Sequence, residues 1–416
     1  MPRHPRTLAL VLAGGKGSRL GPLTQRRAKP ALPYAGVYRL VDFPLTNCVH
    51  SRLSDVWVIE QYAPHALNEH LLNGRPWDLD RNRGGLRIMP PFTGQGGEGF
   101  AEGNAEVLHR HRALIAEFAP DEVVVMSADH VERVDLRDVL DAHREAAAEV
   151  TMVTTEVGAD EASRFGLARV DAATGRVTGW RYKPDEPFGT TAATEVFAYD
   201  ARALFGALDA LAADLPDADD DGTPELEDFG HHLLPRLVDA GRVYAFRHEG
   251  YWRDVGTLPS YWEGHMDLLR DELIGPGGPL SLDDPAWPMR TAASLHMPVR
   301  LARTAHVDDA LVSPGASVAG TVERSVLGPG VVVEEGAEVR DSVLLHGVTV
   351  RRGARVERAV LDDGVEVGEG ARVGAARGEL CVVGQRVRVA PDGTVAPGEQ
   401  RDAEGAVADA LAAARK

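Results

Sequence analysis

Glycine, leucine and valine recur with a single period in the last third of this chain. Gly330, Gly347 and Gly364 are 17 residues apart, and so are Gly336, Gly353 and Gly370. The same 17-residue interval relates Leu327, Leu344 and Leu361, then Val326, Val343 and Val360, then Val333, Val350 and Val367. Within each unit the two glycines lie 6 apart. Isolated aliphatics separated by small turns at steps of about six residues describe a parallel β-helix of hexapeptide repeats, each coil stacking its aliphatics on the coil before. A β-sandwich with regular turns is the alternative, but nothing in a sandwich makes several residue families share one period. The end coils of a solenoid need cover, so this part is expected to pack on the rest of the chain or on another subunit.

The first half has a different rhythm. LALVLA (8–13), DVWVIE (55–60), EVVVMS (122–127) and EVTMVTTEV (149–157) are β-branched, nearly continuous apolar runs, as in strands buried on both faces. AEVLHRHRALIAEF (105–118) and LRDVLDAHREAAA (136–148) carry helical periodicity. Strand–helix alternation predicts an open α/β sheet covered by helices, with ligands at the carboxyl ends of the strands. Between the two halves, LIGPGGPLSLDDPAWP (273–288) is rich in Gly and Pro and reads as a linker, and ADLPDADDDGTPELED (213–228) reads as a solvated acidic loop.

The 416 residues carry a formal charge of -18, which argues against nucleic-acid binding but leaves room for a local basic pocket. Two cysteines, Cys48 and Cys381, provide neither a disulfide framework nor a Cys-based zinc site. No run approaches the roughly 18 apolar residues of a membrane span, and Leu8–Ala13 is too short for a signal-peptide core, so a cytoplasmic protein is expected.

The first strand ends in VLAGGKGSRL (11–20). Gly14, Gly15 and Gly17 leave backbone N–H groups uncovered for phosphate oxygens, and Lys16 and Arg19 can neutralise those oxygens. The spacing fits neither a dinucleotide fingerprint, because Leu20 stands where the third glycine is needed, nor a Walker loop.

Further blocks follow in order: RRAKPALP (26–33), YRLVDFPLTNCVHS (38–51), SADHVE (127–132), RYKPDEP (181–187), EDFGHHLLPRL (227–237), GYWRDVGTLPSYW (250–262) and WPMRT (287–291). Together with the glycine loop, they resemble the sugar-nucleotide pyrophosphorylases, and most closely the bacterial ADP-glucose pyrophosphorylases, from about residue 8 to 375. The resemblance implies a Rossmann-like (GT-A-like) mixed-sheet nucleotidyltransferase domain at 1–272, a linker at 273–295, a left-handed parallel β-helix at 296–390 and a tail, expected to be helical, at 391–416.

The implied reaction joins ATP and glucose 1-phosphate into ADP-glucose with release of pyrophosphate, for glycogen or related α-glucan synthesis. The implied catalytic residues are Arg19, Lys29, Asp129, Lys183 and Asp254. Asp129 and Asp254 would hold Mg²⁺. Leu12, Ala13, Gly14, Gly15, Lys16, Gly17, Gln61, Gly103 and Asn104 would contact the nucleotide, and Tyr182, Lys183, Glu195 and Asp254 the sugar phosphate. The resemblance also implies a homotetramer and an anionic metabolite effector, with Arg26, Arg27 and Arg39 matching part of the effector region.

Departures from the family pattern cluster at the sugar positions. Tyr182 stands where the family has the Glu of Glu-Lys-Pro, Ala193 replaces a serine, and Glu195 replaces a glycine. Glu102 replaces an arginine, and Ser127-Ala128-Asp129 replaces Ala-Gly-Asp. Glu195 could supply the acceptor lost at Tyr182 or could obstruct the pocket. These changes leave two alternatives to ADP-glucose synthesis: a different sugar 1-phosphate, or a poorly catalytic regulatory subunit. His346, the only histidine within the regular repeats, reads as a turn residue rather than a second catalytic centre.

Overall fold

The computed structural model describes residues 5–15, 17–91, 104–214, 229–275, 278–293 and 295–402. They form two compact units: Met1–Gly15 with Phe43–Pro64 and Leu71–Trp252, and Lys16–Asp42 with His65–His70 and Arg253–Lys416. Among the described residues no helix is long and apolar enough to cross a membrane.

The first unit is a nine-stranded mixed sheet. Its strands are β1 (Thr7–Ala13), β2 (Asp55–Glu60), β3 (Gly85–Met89), β4 (Glu122–Ser127), β6 (Val150–Glu156), β7 (Gly166–Val170), β8 (Val177–Tyr182), β9 (Thr191–Asp200) and β10 (Val243–Arg247). A short strand β5 (His130–Glu132) follows β4 outside this sheet. The path β8–β7–β9–β4–β1–β2–β3 carries β6 on β9 and β10 on β6. All four apolar runs form strands. β1 lies parallel to both β2 and β4, and β9 runs antiparallel to β4, β6 and β7.

Helices α1 (Asn104–Phe118), α2 (Leu136–Glu145), α3 (Ala201–Asp214) and α4 (Leu234–Ala240) lie in the same unit. Asp135 caps α2, its carboxylate accepting from the Arg137 N–H at 2.9 Å. The main core joins Leu8 and Leu10 of β1, Val123 and Val125 of β4, Leu108 and Ile115 of α1, and Leu204 and Leu208 of α3.

The second unit contains the repeat, which winds as a parallel β-helix. Val326, Val343, Val360 and Val382 stand in register, as do Val333, Val350, Val367 and Val389. The six periodic glycines sit at φ between +68° and +76°, a left-handed turn conformation that costs any other residue energy. Inside the coil, Ser325 and Ser342 each donate to a carbonyl and accept the N–H of the next coil, at Ser342 and Ala359. That ladder satisfies polar groups that would be costly to bury alone.

The coil also runs further than the sequence reading placed it. Thr394–Val395 and Gln400–Arg401 are strands paired with Arg372–Val373 and Val382–Val383, so 391–402 continues the coil. The extra residues after Gly374 stretch the interval from Val360 to Val382 to 22, which hides the continuation from a 17-residue template. The rest of the expected tail, 403–416, lies outside the described residues, as does most of the acidic stretch 213–228.

The repeat does not stand apart from the segments before it. Residues 16–42 and 253–272, assigned from sequence to the first domain, belong to its unit. The reason is dense packing around helix α5 (Leu258–Asp267), which is held by a Thr257/Ser260 capping box. Tyr34 donates to the Gly264 carbonyl at 2.6 Å, and Tyr261 donates to the Pro33 carbonyl. His265 is fully buried between Tyr34 and Tyr261.

Candidate active site

Several expected site residues meet at the carboxyl ends of β1 and β4 in the first unit. One cavity is lined by Leu12, Asn104, Ser127, Tyr182 and Glu195, with apolar walls from Trp180, Phe197 and Phe229. It gathers expected nucleotide residues (Leu12, Asn104) and expected sugar residues (Tyr182, Glu195). Ala13 is buried at the end of β1. Gly14 packs directly on Gln61: a Cβ added there would lie 1.5 Å from the Gln61 Oε1. Gly15 is exposed and a Cβ on it would meet nothing, so the loop's open face begins there. Lys16 and Gly103 fall outside the described residues, and so does Glu102.

Tyr182 ends β8, and its ring covers Gly230, where a Cβ would come within 2.1 Å of the ring. Trp180 likewise covers Gly166 and donates its indole N–H to the Gly230 carbonyl at 2.8 Å. Lys183 folds back on Tyr182. Its ammonium donates to the phenol oxygen at 2.7 Å and lies 4.4 Å from the ring centre.

Asp129 follows β4. Ser127 Oγ donates to its carboxylate, and His130 Nε2 lies 3.6 Å away. The same nitrogen is 3.9 Å from Glu195 Oε2. Glu195 sits where the pairing of β9 with β6 shifts register, between Ala193 and Phe197, at φ +61°. The glycine expected from the family pattern would take that conformation without strain. Below them, Glu132 is fully buried, and burial pushes its carboxyl up to about 7, partly offset by His130. Asn47 holds this segment in place: its amide donates to the Glu132 carbonyl at 3.2 Å, and its side-chain oxygen accepts from the Val134 N–H at 3.3 Å. The DF-x-L-x-N-C stretch therefore serves the site as scaffold. His130 and Glu132 were not singled out from sequence; the signal available was three acid or imidazole groups within SADHVE.

The second unit holds Gly17, Arg19, Lys29 and Asp254. Gly17 has φ +66° and accepts from Thr24 Oγ1 through its carbonyl at 2.8 Å, and Arg19 is exposed. Lys29 is buried, and its ammonium reaches the Asp254 carboxylate at 3.3 Å. Two of the expected catalytic residues are thus an ion pair.

The three arginines expected at the effector region differ in environment. Arg26 is exposed. Arg27 is buried against Asp362 and Asp363, 2.7 Å from the latter, so an anion could reach its guanidinium only by displacing a carboxylate. Arg39 donates to the Ala31 carbonyl at 2.6 Å, and burial and neighbouring Arg27 pull its pKa below the usual range. A cavity of about 350 Å³ in this unit is lined by Tyr38, Leu268, Leu282, Asp283 and Val312, and by none of these arginines. His346 stands in a turn, its Nε2 3.2 Å from that of His296.

Comparison with known proteins covers most of the chain. Residues 8–271 match the nucleotidyl transferase family model, and 296–396 match the GlmU-like C-terminal hexapeptide model. The chain is 38% identical over 335 residues to the glucose-1-phosphate adenylyltransferase of Pseudothermotoga lettingae, covering 80% of this chain and 76% of that protein. It is 39% identical over 336 residues to that of Thermotoga maritima, with the same coverage. Against that of Thermomicrobium roseum it is 41% identical over 310 residues, 74% of this chain and 69% of the relative. The fold class expected from sequence, a mixed-sheet nucleotidyltransferase domain followed by a left-handed β-helix of hexapeptides, is the one found. With its glycine loop, its strand-end aspartate and its repeat all in the family's order, this chain belongs to the glucose-1-phosphate adenylyltransferase family of nucleotidyltransferases.

Proposed function

We propose that this chain transfers the adenylyl group of ATP to glucose 1-phosphate. A phosphate oxygen of the sugar attacks the α-phosphorus, the bond from that phosphorus to the bridging oxygen breaks, and pyrophosphate leaves with the electron pair. Such displacement needs positioning and charge neutralisation more than covalent chemistry. The reading is carried by kinship over 80% of the chain with enzymes of that name, and the family resemblance assigns Lys29, Asp129, Lys183 and Asp254 to its catalytic positions.

The chain's own groups divide the work. The N–H groups around Gly14, Gly15 and Gly17 receive the triphosphate oxygens. Arg19 and Lys16 neutralise the departing pyrophosphate, and Lys183 neutralises the sugar phosphate. Leu12, Gln61 and Asn104 position the nucleoside. Asp129 and Asp254 offer hard oxygen donors of the kind Mg²⁺ takes, and both carboxylates are partly exposed. Mg²⁺ bound at either carboxylate would neutralise charge on the reacting phosphates. We also infer a cytoplasmic homotetramer whose activity answers to an anionic metabolite, a reading supported by the family resemblance.

Pyrophosphorolysis tests the reaction in reverse. Purified chain with ADP-glucose, pyrophosphate and Mg²⁺ should yield ATP and glucose 1-phosphate. No ATP from ADP-glucose, with ATP formed from another ADP-sugar, would reject glucose as the substrate.

A further inference from the structure

We propose that Asp362 and Asp363, at a turn of the β-helix, are positioning residues for Lys29: through Arg27 they fix where its ammonium stands beside Asp254. The proposal rests on the reading above only where it concerns turnover. The placement of Lys29 stands on geometry within the second unit.

The two aspartates follow the strand Ala359–Leu361 and precede the turn glycine Gly364. Between them they take both terminal nitrogens of Arg27. Nη2 donates to Asp362, and Nη1 donates to Asp363 Oδ2 at 2.7 Å. Nε donates to the Leu23 carbonyl at 3.1 Å, so all the guanidinium nitrogens are held and the plane of the group is fixed. The aspartates are themselves anchored in the coil. Asp362 Oδ1 accepts from the Asp363 N–H at 2.7 Å, and Asp363 Oδ1 accepts from the His346 N–H at 3.1 Å. Coil stability alone does not call for this arrangement. The coil before has buried Leu345 in the place of Asp362. Asp362 is buried with its Oδ2 lacking a hydrogen-bond partner among the described residues. Burying an acid where an aliphatic side chain fits costs desolvation that its ion pair only partly offsets.

Arg27 is two residues from Lys29, and the chain between them has little slack. Lys29–Ala31 is a single 3₁₀ turn containing Pro30, and the Leu32 N–H returns to the Lys29 carbonyl at 3.0 Å. Arg39 holds the end of that turn, donating to the Ala31 carbonyl at 2.6 Å. Lys29 also packs on the glycine loop: a Cβ added to Gly17 would lie 3.1 Å from the Lys29 Cβ. Thr24, next to the Leu23 that holds Arg27, donates to the Gly17 carbonyl at 2.8 Å. Lys29 therefore sits between two fixed points, Arg27 and Gly17. From there its buried ammonium meets the Asp254 carboxylate at 3.3 Å. Releasing Arg27 from the coil frees one of those points.

The first measurement needs no substrate. The lysines of this chain are Lys16, Lys29, Lys183 and Lys416. Acylation of the full-length protein by N-hydroxysuccinimidyl acetate can therefore be followed lysine by lysine in peptide mass spectra. Buried Lys29 should react more slowly than exposed Lys183. Asp363→Asn, at a partly exposed side chain, should raise the Lys29 rate by about tenfold or more and leave the Lys183 rate unchanged. Asp363→Glu keeps the carboxylate and should return Lys29 toward the slow rate. Asp362→Asn keeps an acceptor for Nη2 and should act in the same direction as Asp363→Asn, which gives a second reading if that variant folds poorly. In pyrophosphorolysis of ADP-glucose, Asp363→Asn should lower kcat by about tenfold or more, and should lower it no further in a Lys29→Gln protein. An unchanged Lys29 rate, an equal rise at Lys183, or a further loss of kcat on the Lys29→Gln background would overturn the proposal. A chain whose Lys29 answers to Asp363 but which makes no ATP from ADP-glucose keeps this positioning and loses the proposed reaction. A chain that makes ATP while its Lys29 ignores Asp363 does the reverse.

Discussion

The ammonium of Lys183 is hydrogen-bonded to the phenol oxygen of Tyr182, one residue before it, at 2.7 Å. The family pattern has a glutamate, a full negative charge, at that position. The tyrosine instead presents a neutral acceptor and a ring face, so the cation is held without being neutralised. A cation in that state suits an incoming dianionic phosphate.

Lys183→Gln removes the charge and should lower kcat/KM for glucose 1-phosphate by about 10²-fold or more, with KM for ATP little changed. Tyr182→Phe keeps the ring and should act only on KM for the sugar phosphate, by a few-fold. Steady-state kinetics with each substrate varied in turn distinguish the two. An equal rise in both KM values for Lys183→Gln would place the lysine elsewhere.

Arg27 and Asp362 form a buried ion pair within the second unit. Arg27→Ala leaves a carboxylate without its cation and should cost about 3–5 kcal/mol, read by denaturant unfolding. Adding Asp362→Ala should recover part of that loss. If Arg27 instead served mainly to bind an anionic effector, its removal would change effector response and leave stability alone.

His265 sets a pH limit. Its Nδ1 donates to the Tyr261 carbonyl at 2.8 Å and its Nε2 accepts from the Ala35 N–H at 3.3 Å, so the buried ring is neutral and both nitrogens are used. Burial pulls its pKa from 6.5 down to about 4. The unfolded chain therefore takes up a proton that the folded chain refuses. Stability is fully present above about pH 6.5 and falls as the pH drops toward 4, by about 3 kcal/mol from this group. A His265→Gln protein should show a shallower decline over that window in thermal melts; an unchanged slope would remove His265 as the cause.

Two glycines of the coil should respond differently to alanine. A Cβ at Gly347 meets nothing, and only its φ of +68° opposes it, at a cost of roughly 1–2 kcal/mol. At Gly374, φ +70° is joined by the Glu357 carbonyl oxygen 2.1 Å from the added carbon. Gly374→Ala should be clearly the worse of the two in melting temperature, because backbone has to move.

Local pattern made the strands, the glycine loop and the repeat legible, because each depends on neighbours in sequence or on a fixed period. The meeting of Glu195 with His130 was not legible. It depends on a register shift in β9 that only the packed sheet reveals. The partner of Arg27 was half visible. Asp362 follows Leu345 by one 17-residue period, so a carboxylate stands where the coil before has a buried leucine. Such an acid needs a buried cation, but nothing in the sequence says which one. The end of the coil was missed because the insertion after Gly374 breaks the period while the stacking goes on.

The central claim is adenylyl transfer to glucose 1-phosphate despite Tyr182, Ala193 and Glu195. The direct measurement is product formation by the purified chain with ATP and Mg²⁺, offered a panel of hexose and amino-sugar 1-phosphates, with pyrophosphate and nucleotide sugar both quantified. ADP-glucose formed at the highest kcat/KM in the panel, and abolished by Asp129→Asn, is the predicted result. Turnover of another sugar phosphate in preference to glucose 1-phosphate, or no pyrophosphate from any of them, would contradict it.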